Sequence, residues 1–317
     1  MDTRSIHLYF HSPCFDGVVS AAIASTYLEE TRGYSHVVLR AVNYDLKPQW
    51  LTTEFPRPCA VVDFLYHPAA TFWADHHPTT FLSDEVKKDF ESRPSPDRFY
   101  DNKATSCALL IWRHWGEALR AFSSHFDPVV GWADRIDSAR YDSVEEAIAL
   151  AAPALKINLA LGTSPDATFC ERLVPLIRHK TLEDVSELPE VQAAFREGWV
   201  LQQRGLDRLQ RAVQLTGSGI AVFDVSADDV MVNRYAPFHF FPQARYSAGI
   251  VRTGNKAKLT AMRNPWMEFQ SAPLGQLCAP LGGGGHQRVG SIVIQDRDPR
   301  ELLDRLLKAV DAWSENT

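Results

Sequence analysis

Asp75-His76-His77 sets an acid and two imidazoles in consecutive positions, shortly after an apolar run (Cys59, Ala60, Val61, Val62) that leads into Asp63 and Phe64. Carboxylate oxygens are hard ligands and imidazole nitrogens borderline ones, so acids and histidines at neighbouring strand ends are the usual material of a metal site. Two adjacent histidines by themselves are more often a surface pair. What raises the odds here is the company they keep along the chain.

Ile6 to Phe10 is a β-prone run that ends at His11-Ser12-Pro13-Cys14-Phe15-Asp16-Gly17. After Gly17, Val18, Val19, Ala22, Ile23 and Leu28 recur at helical spacing, so residues 11 to 17 form a strand-to-helix turn. In an open α/β sheet such turns lie at the carboxyl edge, where ligands bind. Val37 to Val42, Ala60 to Phe64 and Thr71 to Ala74 read as further strands. Three strand ends thus carry metal-capable side chains: His11 with Asp16, then Asp63, then Asp75 to His77.

From Ala104 the pattern turns helical, through Trp115, Val129 to Ile136 and Ile148 to Leu161. The segment 131–141 carries Asp134 and Asp137 three residues apart, on one face if the helix runs that far. Pro189 to Leu215 is a long amphipathic helix, with a stop expected at Gly217-Ser218-Gly219. Beyond it come strand-like runs at Ile220–Val225, Val230–Val232, Tyr246–Val251, Lys258–Met262 and Ser291–Ile294, and a helix at Pro299–Trp313 with Asp298 as N-cap. The expected fold is α/β: a parallel-sheet N-terminal domain with a helical extension (1–188), a linker helix (189–216) and a smaller α/β C-terminal domain (217–317).

A second chemical feature lies in that last part, Gly282-Gly283-Gly284-Gly285-His286. Consecutive glycines expose backbone N–H groups without side-chain obstruction and can wrap an anion such as phosphate, with His286 as a neighbouring donor. Trp266 and Phe269 could stack a base or simply pack in the core.

Composition narrows the partners. With 33 Lys plus Arg against 39 Asp plus Glu, the net charge is −6, which argues against coating long duplex nucleic acid but leaves room for a short or small anionic ligand held in a local pocket, with metal supplying the positive charge. Five scattered cysteines without a C-x-x-C pair suggest neither a disulfide framework nor a thiolate zinc site. No stretch reaches the length of a membrane span, and a cytoplasmic location is the simplest expectation.

Taken in order, the His11 to Gly17 turn, Val62-Asp63-Phe64, Asp75-His76-His77 and Gly283 to His286 resemble the DHH family of phosphoesterases, in the branch with a DHH-associated C-terminal domain that includes nanoRNA-degrading and cyclic-dinucleotide phosphodiesterases. The resemblance implies two divalent ions, usually manganese, in a cleft between two domains. His11, Cys14 and Asp63 would hold one; Asp16, Asp63, His76 and Asp137 would hold the other. Asp137 is preferred over Asp134 because Asp137-Ser-Ala-Arg-Tyr resembles the family's Asp-Thr-Gly-Arg-Phe. Asp75 would orient an imidazole and His77 would face the scissile phosphate, while Arg263, Gly284, Gly285 and His286 match substrate-binding positions.

One departure is Cys14, where the family usually has Asp. A thiolate is softer than a carboxylate, which bears on the first metal position. The function expected from the resemblance is metal-dependent hydrolysis of a phosphodiester or phosphomonoester in a short oligonucleotide, dinucleotide or small nucleotide. The alternative is a catalytically weakened metal- and nucleotide-binding sensor or structural protein.

Overall fold

The computed structural model describes residues 4–164, 166–285 and 287–315. The chain divides into two compact units, one built from residues up to Arg140 together with Ala151–Arg196, the other from Tyr141–Leu150 and residues from Glu197 onward. Among the described residues no helix is long and apolar enough to cross a membrane.

The first unit holds a five-stranded parallel sheet made of β1 (Ser5–His11), β2 (His36–Val42), β3 (Cys59–Val62), β4 (Phe72–Asp75) and β5 (Arg98–Tyr100), in the order β2-β1-β3-β4-β5. The central strands β3 and β4 are buried at every residue, as expected where both faces of a parallel sheet are covered. On one side pack α1 (Phe15–Glu30), α3 (Cys107–Trp115) and α4 (Ser123–Asp137), with the later helices Pro153–Thr163 and Ala167–His179; α2 (Asp84–Ser92) belongs to the other side. That other side is an aromatic cluster of Trp50, Phe64, Tyr66 and Trp73 with Phe81 and Phe90. Helix α1 is buried on all faces, which explains why its apolar periodicity is weak.

The register places the carboxyl ends of the strands together: His11 pairs with Val42, Phe10 with Val62, and Val62 with Ala74. Strand β3 stops short of the expected Asp63-Phe64 because Asp63 takes a left-handed conformation (φ 56°), which cannot continue a strand.

The second unit is a mixed six-stranded sheet ordered β10-β11-β9-β8-β7-β6, with β6 (Gln214–Leu215), β7 (Ile220–Ser226), β8 (Tyr246–Thr253), β9 (Lys256–Arg263), β10 (Gly284–Gly285) and β11 (Val289–Ile294). The amphipathic helix Pro299–Glu315 covers one face, burying Leu302, Leu303, Leu306 and Val310 against Ile250, Leu259 and Ile292. Arg300 N–H donates to Asp298 Oδ1 at 2.9 Å, the cap expected at its start.

Three sequence expectations are corrected. The run Val230–Val232 forms no strand. The long helix ends at Ala212, before Leu215, because Gln214 and Leu215 pair with β7. The helical run from Ile148 to Leu161 is two helices, Val144–Ala149 and Pro153–Thr163, broken where Leu150 turns left-handed (φ 49°) and Pro153 starts the next.

Candidate metal centre

Each strand end delivers one part of the site. At the end of β1, His11 turns Nδ1 to within 3.5 Å of Asp63 Oδ2. From β3, Asp63 offers its other oxygen to the β4 side, with Oδ1 3.7 Å from His76 Nε2 and 3.8 Å from His77 Nδ1. From the first turn of α1, Asp16 Oδ2 comes within 3.8 Å of His76 Nε2, and from the last turn of α4 Asp137 Oδ2 comes within 3.5 Å of the same nitrogen. Donor atoms of His11, Cys14 and Asp63 form one group within 4.8 Å of one another, and those of Asp16, His76 and Asp137 form a second. Asp63 has one oxygen toward each.

Gly17 is required by this crowding: a Cβ there would fall 2.0 Å from the His11 carbonyl oxygen and 3.2 Å from Asp63 Oδ2. Only glycine lets α1 start against the end of β1 so closely.

The surrounding groups aim the donors. His76 Nδ1 lies 3.2 Å from the Ala104 carbonyl, which takes its proton and leaves Nε2 with a lone pair toward the acids. Asp75 Oδ1 accepts from His77 Nδ1 at 2.7 Å and from the His76 backbone N–H at 2.8 Å. Tyr100 O–H donates to the His77 carbonyl at 3.1 Å. Asp16 accepts from the backbone N–H groups of Cys107 (2.7 Å) and Ala108 (2.9 Å), at the positive end of α3.

Four donors are nevertheless left without a hydrogen bond of good geometry while fully buried: both oxygens of Asp63, Nδ1 of His11 and Nε2 of His76. Native interiors rarely leave such groups unpaired, and an uncompensated buried carboxylate costs several kcal/mol. Their spacing from neighbouring donors, 3.5–3.8 Å, slightly exceeds the roughly 3–3.5 Å expected between atoms that share a cation at about 2.0–2.3 Å. The residues fit a divalent cation.

Electrostatics say the same. Burial first, then the Asp16, Asp75 and Asp137 carboxylates, hold Asp63 well above the ordinary carboxyl range. Burial and Asp137 raise Asp16 to about 6. Burial and the neighbouring His77 lower His11 to about 4. The Cys14 thiol is pushed well up by burial and by Asp63, Asp137 and Asp16. At His77 burial pulls the pKa down, but the Asp75 hydrogen bond and charge, with Asp137 and Asp16, outweigh it and the net shift is upward. The pocket gathers carboxylates whose mutual repulsion a cation would relieve.

Asp134, the other helical acid, is excluded from the cluster. Its carboxylate accepts from Thr105 Oγ1 and pairs with Arg140, so Asp134 and Asp137 have different partners. Sequence reasoning missed the Ala104 carbonyl, the Cys107 and Ala108 amides and Tyr100. Of these, the amides had a signal, since Ser106 is a good N-cap and its Oγ accepts from Leu109 N–H at 3.1 Å.

In the second unit, Gly284 and Gly285 form β10, paired with Ser291 and Gly290. Gly285 has φ 142° and a Cβ there would lie 2.2 Å from the Val289 carbonyl oxygen, so glycine is again obligatory. A cavity of about 510 Å³ on this sheet is lined by Gly285, Ser291, Lys258, Thr260, Met262 and Arg234, among others. His286 lies outside the described residues. Arg263 sits at the end of β9, but its guanidinium is buried, donating to the carbonyls of Asn264 (2.9 Å), Met267 (2.6 Å) and Phe269 (3.3 Å) and lying 4.4 Å over the Phe269 ring. Trp266 donates to the Tyr141 carbonyl at 2.9 Å and packs against Tyr235 and Phe238, so both aromatic rings have core partners.

No family model matches the sequence, and no curated protein matches it. Solved structures do match. The pGpG-specific phosphodiesterase PggH from Vibrio cholerae superposes with a TM-score of 0.72 at 17% identity, covering 97% of this chain and 99% of that one. The chain has the DHH-family fold. An exopolyphosphatase-related protein from Bacteroides fragilis matches over 98% of this chain and 92% of its own, with a TM-score of 0.53 at 12% identity. RecJ from Thermus thermophilus, solved in complex with Mn2+, gives a TM-score of 0.56 at 14% identity over 99% of this chain and 52% of RecJ. The architecture expected from the sequence, α/β with a parallel N-terminal sheet and a separate C-terminal α/β part, is the one this fold has.

Proposed function

We propose that the chain is a metal-dependent phosphoesterase that hydrolyses a phosphodiester or phosphomonoester in a short oligonucleotide, a dinucleotide or a small nucleotide. The observation that carries the reading is the set of buried, unpartnered donors from three strand ends, with one carboxylate, Asp63, turned toward both groups. Such a set is costly to fold and gains its purpose when cations occupy it.

In this reading His11, Cys14 and Asp63 hold one divalent ion, and Asp16, Asp63, His76 and Asp137 hold the other, with Asp63 shared. When bound, the pair supplies an activated water and positive charge for the phosphoryl oxygens. Manganese is the expected ion, with the Cys14 position tolerating softer metals. The fold is shared with proteins described as a pGpG-specific phosphodiesterase and as RecJ in complex with Mn2+, which agrees with nucleotide phosphoesters as the substrate class.

The chain's own residues then have separate tasks. Asp75 fixes His77 by accepting its Nδ1 proton. With Nδ1 held by Asp75, Nε2 is the ring nitrogen left to serve the phosphate or the leaving oxygen. Asp16, anchored by two backbone amides, keeps its carboxylate in place whether or not it is charged. In the second unit, the β10 glycines and His286 are assigned to substrate, with the glycines presenting backbone N–H groups to an anionic oxygen, while Arg263 holds the 264–269 loop through its carbonyls.

The test is a manganese-supplemented screen of the purified protein against dinucleotides, short RNAs, nucleoside phosphates and polyphosphate, run beside Asp63→Asn. Manganese-dependent turnover of a nucleotide ester that Asp63→Asn abolishes is the expected result. Turnover that survives Asp63→Asn, or none on any substrate, rejects the reading.

A further inference from the structure

Beside the cluster lies a hollow of about 530 Å³ that the reaction chemistry leaves unused, lined by Tyr44, Lys47, Pro48, Leu51, Thr52 and Leu82. Its volume is in the range of small-molecule sites. Four large hydrophobic residues are exposed among the described residues, and two of them, Tyr44 (40%) and Leu51 (38%), line this hollow.

The wall is rigid. Residues 44, 47, 48, 51 and 52 of the lining all belong to the short 3-10 helix Tyr44–Thr52, which follows directly on β2 at the carboxyl edge of the sheet. Asn43 opens the segment by accepting from Asp45 N–H at 2.9 Å. Trp50 anchors it from below, fully buried, with Nε1 shared between the carbonyls of Leu65 (3.1 Å) and Tyr66 (3.2 Å). Tyr44 itself rests on Phe64, ring centroids 5.1 Å apart, and meets the edge of the His11 ring at the same distance. Tyr44 therefore lies between the hollow and the His11 end of the cluster.

We infer that this hollow is the nucleobase subsite: a base stacks on Tyr44 and packs against Leu51 and Leu82, Lys47 contacts a phosphate of the same nucleotide, and the ester to be cleaved lies over His11. The inference rests on the phosphoesterase reading of the cluster and deepens it, because it makes the substrate a nucleotide with a base at this end. An aromatic face gives affinity for any base with little choice among them, so the subsite accepts purines and pyrimidines with modest preference. Lys47 brings positive charge to the hollow where the acidic cluster would otherwise repel an anion.

The test compares an intact dinucleotide with its abasic analogue, in manganese, for wild type, Tyr44→Ala, Tyr44→Phe and Leu51→Trp. Wild type should prefer the intact substrate in kcat/KM by about tenfold or more, the scale of one base stacked on an aromatic ring. Tyr44→Ala should bring that ratio close to one through KM, Tyr44→Phe should retain most of it, and Leu51→Trp, which fills the hollow, should lower kcat/KM for the intact substrate. An unchanged ratio in Tyr44→Ala, with turnover otherwise intact, overturns the subsite and leaves the phosphoesterase reading standing. If wild type hydrolyses neither compound, that reading fails, and equilibrium dialysis with a phosphorothioate-linked dinucleotide still decides the subsite: binding weakened about tenfold by Tyr44→Ala supports it, and equal binding overturns it.

Discussion

Asp63 and Asp224 are the same residue type on or beside a sheet strand, one in each unit, and they have opposite fates. Asp224, on β7, is gripped by Arg252 through two hydrogen bonds of 2.7 and 2.8 Å, and the arginine, ahead of the opposing effect of burial, holds its carboxyl below the ordinary range. Asp63 is buried among other acids, makes no hydrogen bond of good geometry and is held well above that range. The second unit neutralises this charge internally; the first leaves its own unsatisfied at one point. In the proposed reading a cation supplies what this carboxylate lacks.

The largest expected break in this contrast is Asp63→Asn. Asn fits the left-handed φ of this position and the same volume, so the variant should fold, yet lose roughly a thousandfold or more in turnover because the proposed shared ligand is gone. It should also gain stability without metal. A carboxyl whose pKa is raised by folding binds a proton in the native state that the unfolded chain has released, so stability falls as pH rises above the ordinary value of 3.8. Removing the carboxyl removes that loss. The metal-free variant should therefore melt above metal-free wild type at pH 7, with the advantage shrinking as the pH is lowered toward 4, by calorimetry.

His77→Gln and Asp75→Asn come next, with kcat lowered by about a hundredfold to ten-thousandfold while metal content changes little, because the proposed function has these residues position and move a proton. Asp75→Asn should in addition shift the pH profile of kcat to lower values, since the Asp75 carboxylate is what holds the His77 pKa up against burial. Retained turnover in both variants would remove His77 from the reaction.

Cys14 gives a smaller effect. Cys14→Asp should raise manganese occupancy and manganese-supported turnover several-fold, and Cys14→Ser should lower total metal, because manganese prefers oxygen and binds weakly to most sites. Three proteins of equal metal content would make Cys14 a packing residue. The smallest effect belongs to the satisfied side of the comparison: Asp224→Ala should cost about 0.5–1 kcal/mol, the scale of a partly exposed ion pair, with turnover unchanged. A loss of activity there would show that the two regions are not as separate in purpose as their charges are.

Much of this was legible in the sequence because it depends on local pattern. Apolar runs ending in acids and histidines marked β1, β3 and β4 and the turn between β1 and α1, and the convergence of His11, Asp63 and His76 follows from parallel strands whose carboxyl ends share one edge. The choice between Asp134 and Asp137 was not available from spacing, since both sit on the last turns of α4. It is made by Thr105 and Arg140, which engage Asp134 and leave Asp137 beside His76. The burial of the Arg263 guanidinium among the carbonyls of residues 264–269 also depends on a loop path that no periodicity encodes. Tyr44 is silent in the sequence for a related reason: its place depends on contact with His11, far away in the chain, and on exposure, neither of which a single aromatic in a polar turn reveals.

The central claim, that the unpartnered donors around Asp63 exist to hold divalent cations, is tested most directly by titrating the metal-stripped protein with manganese and following the free ion by electron paramagnetic resonance. Wild type should remove about two manganese ions per chain from solution, and Asp63→Asn far fewer. Equal uptake by the two proteins, or none by wild type, would contradict it.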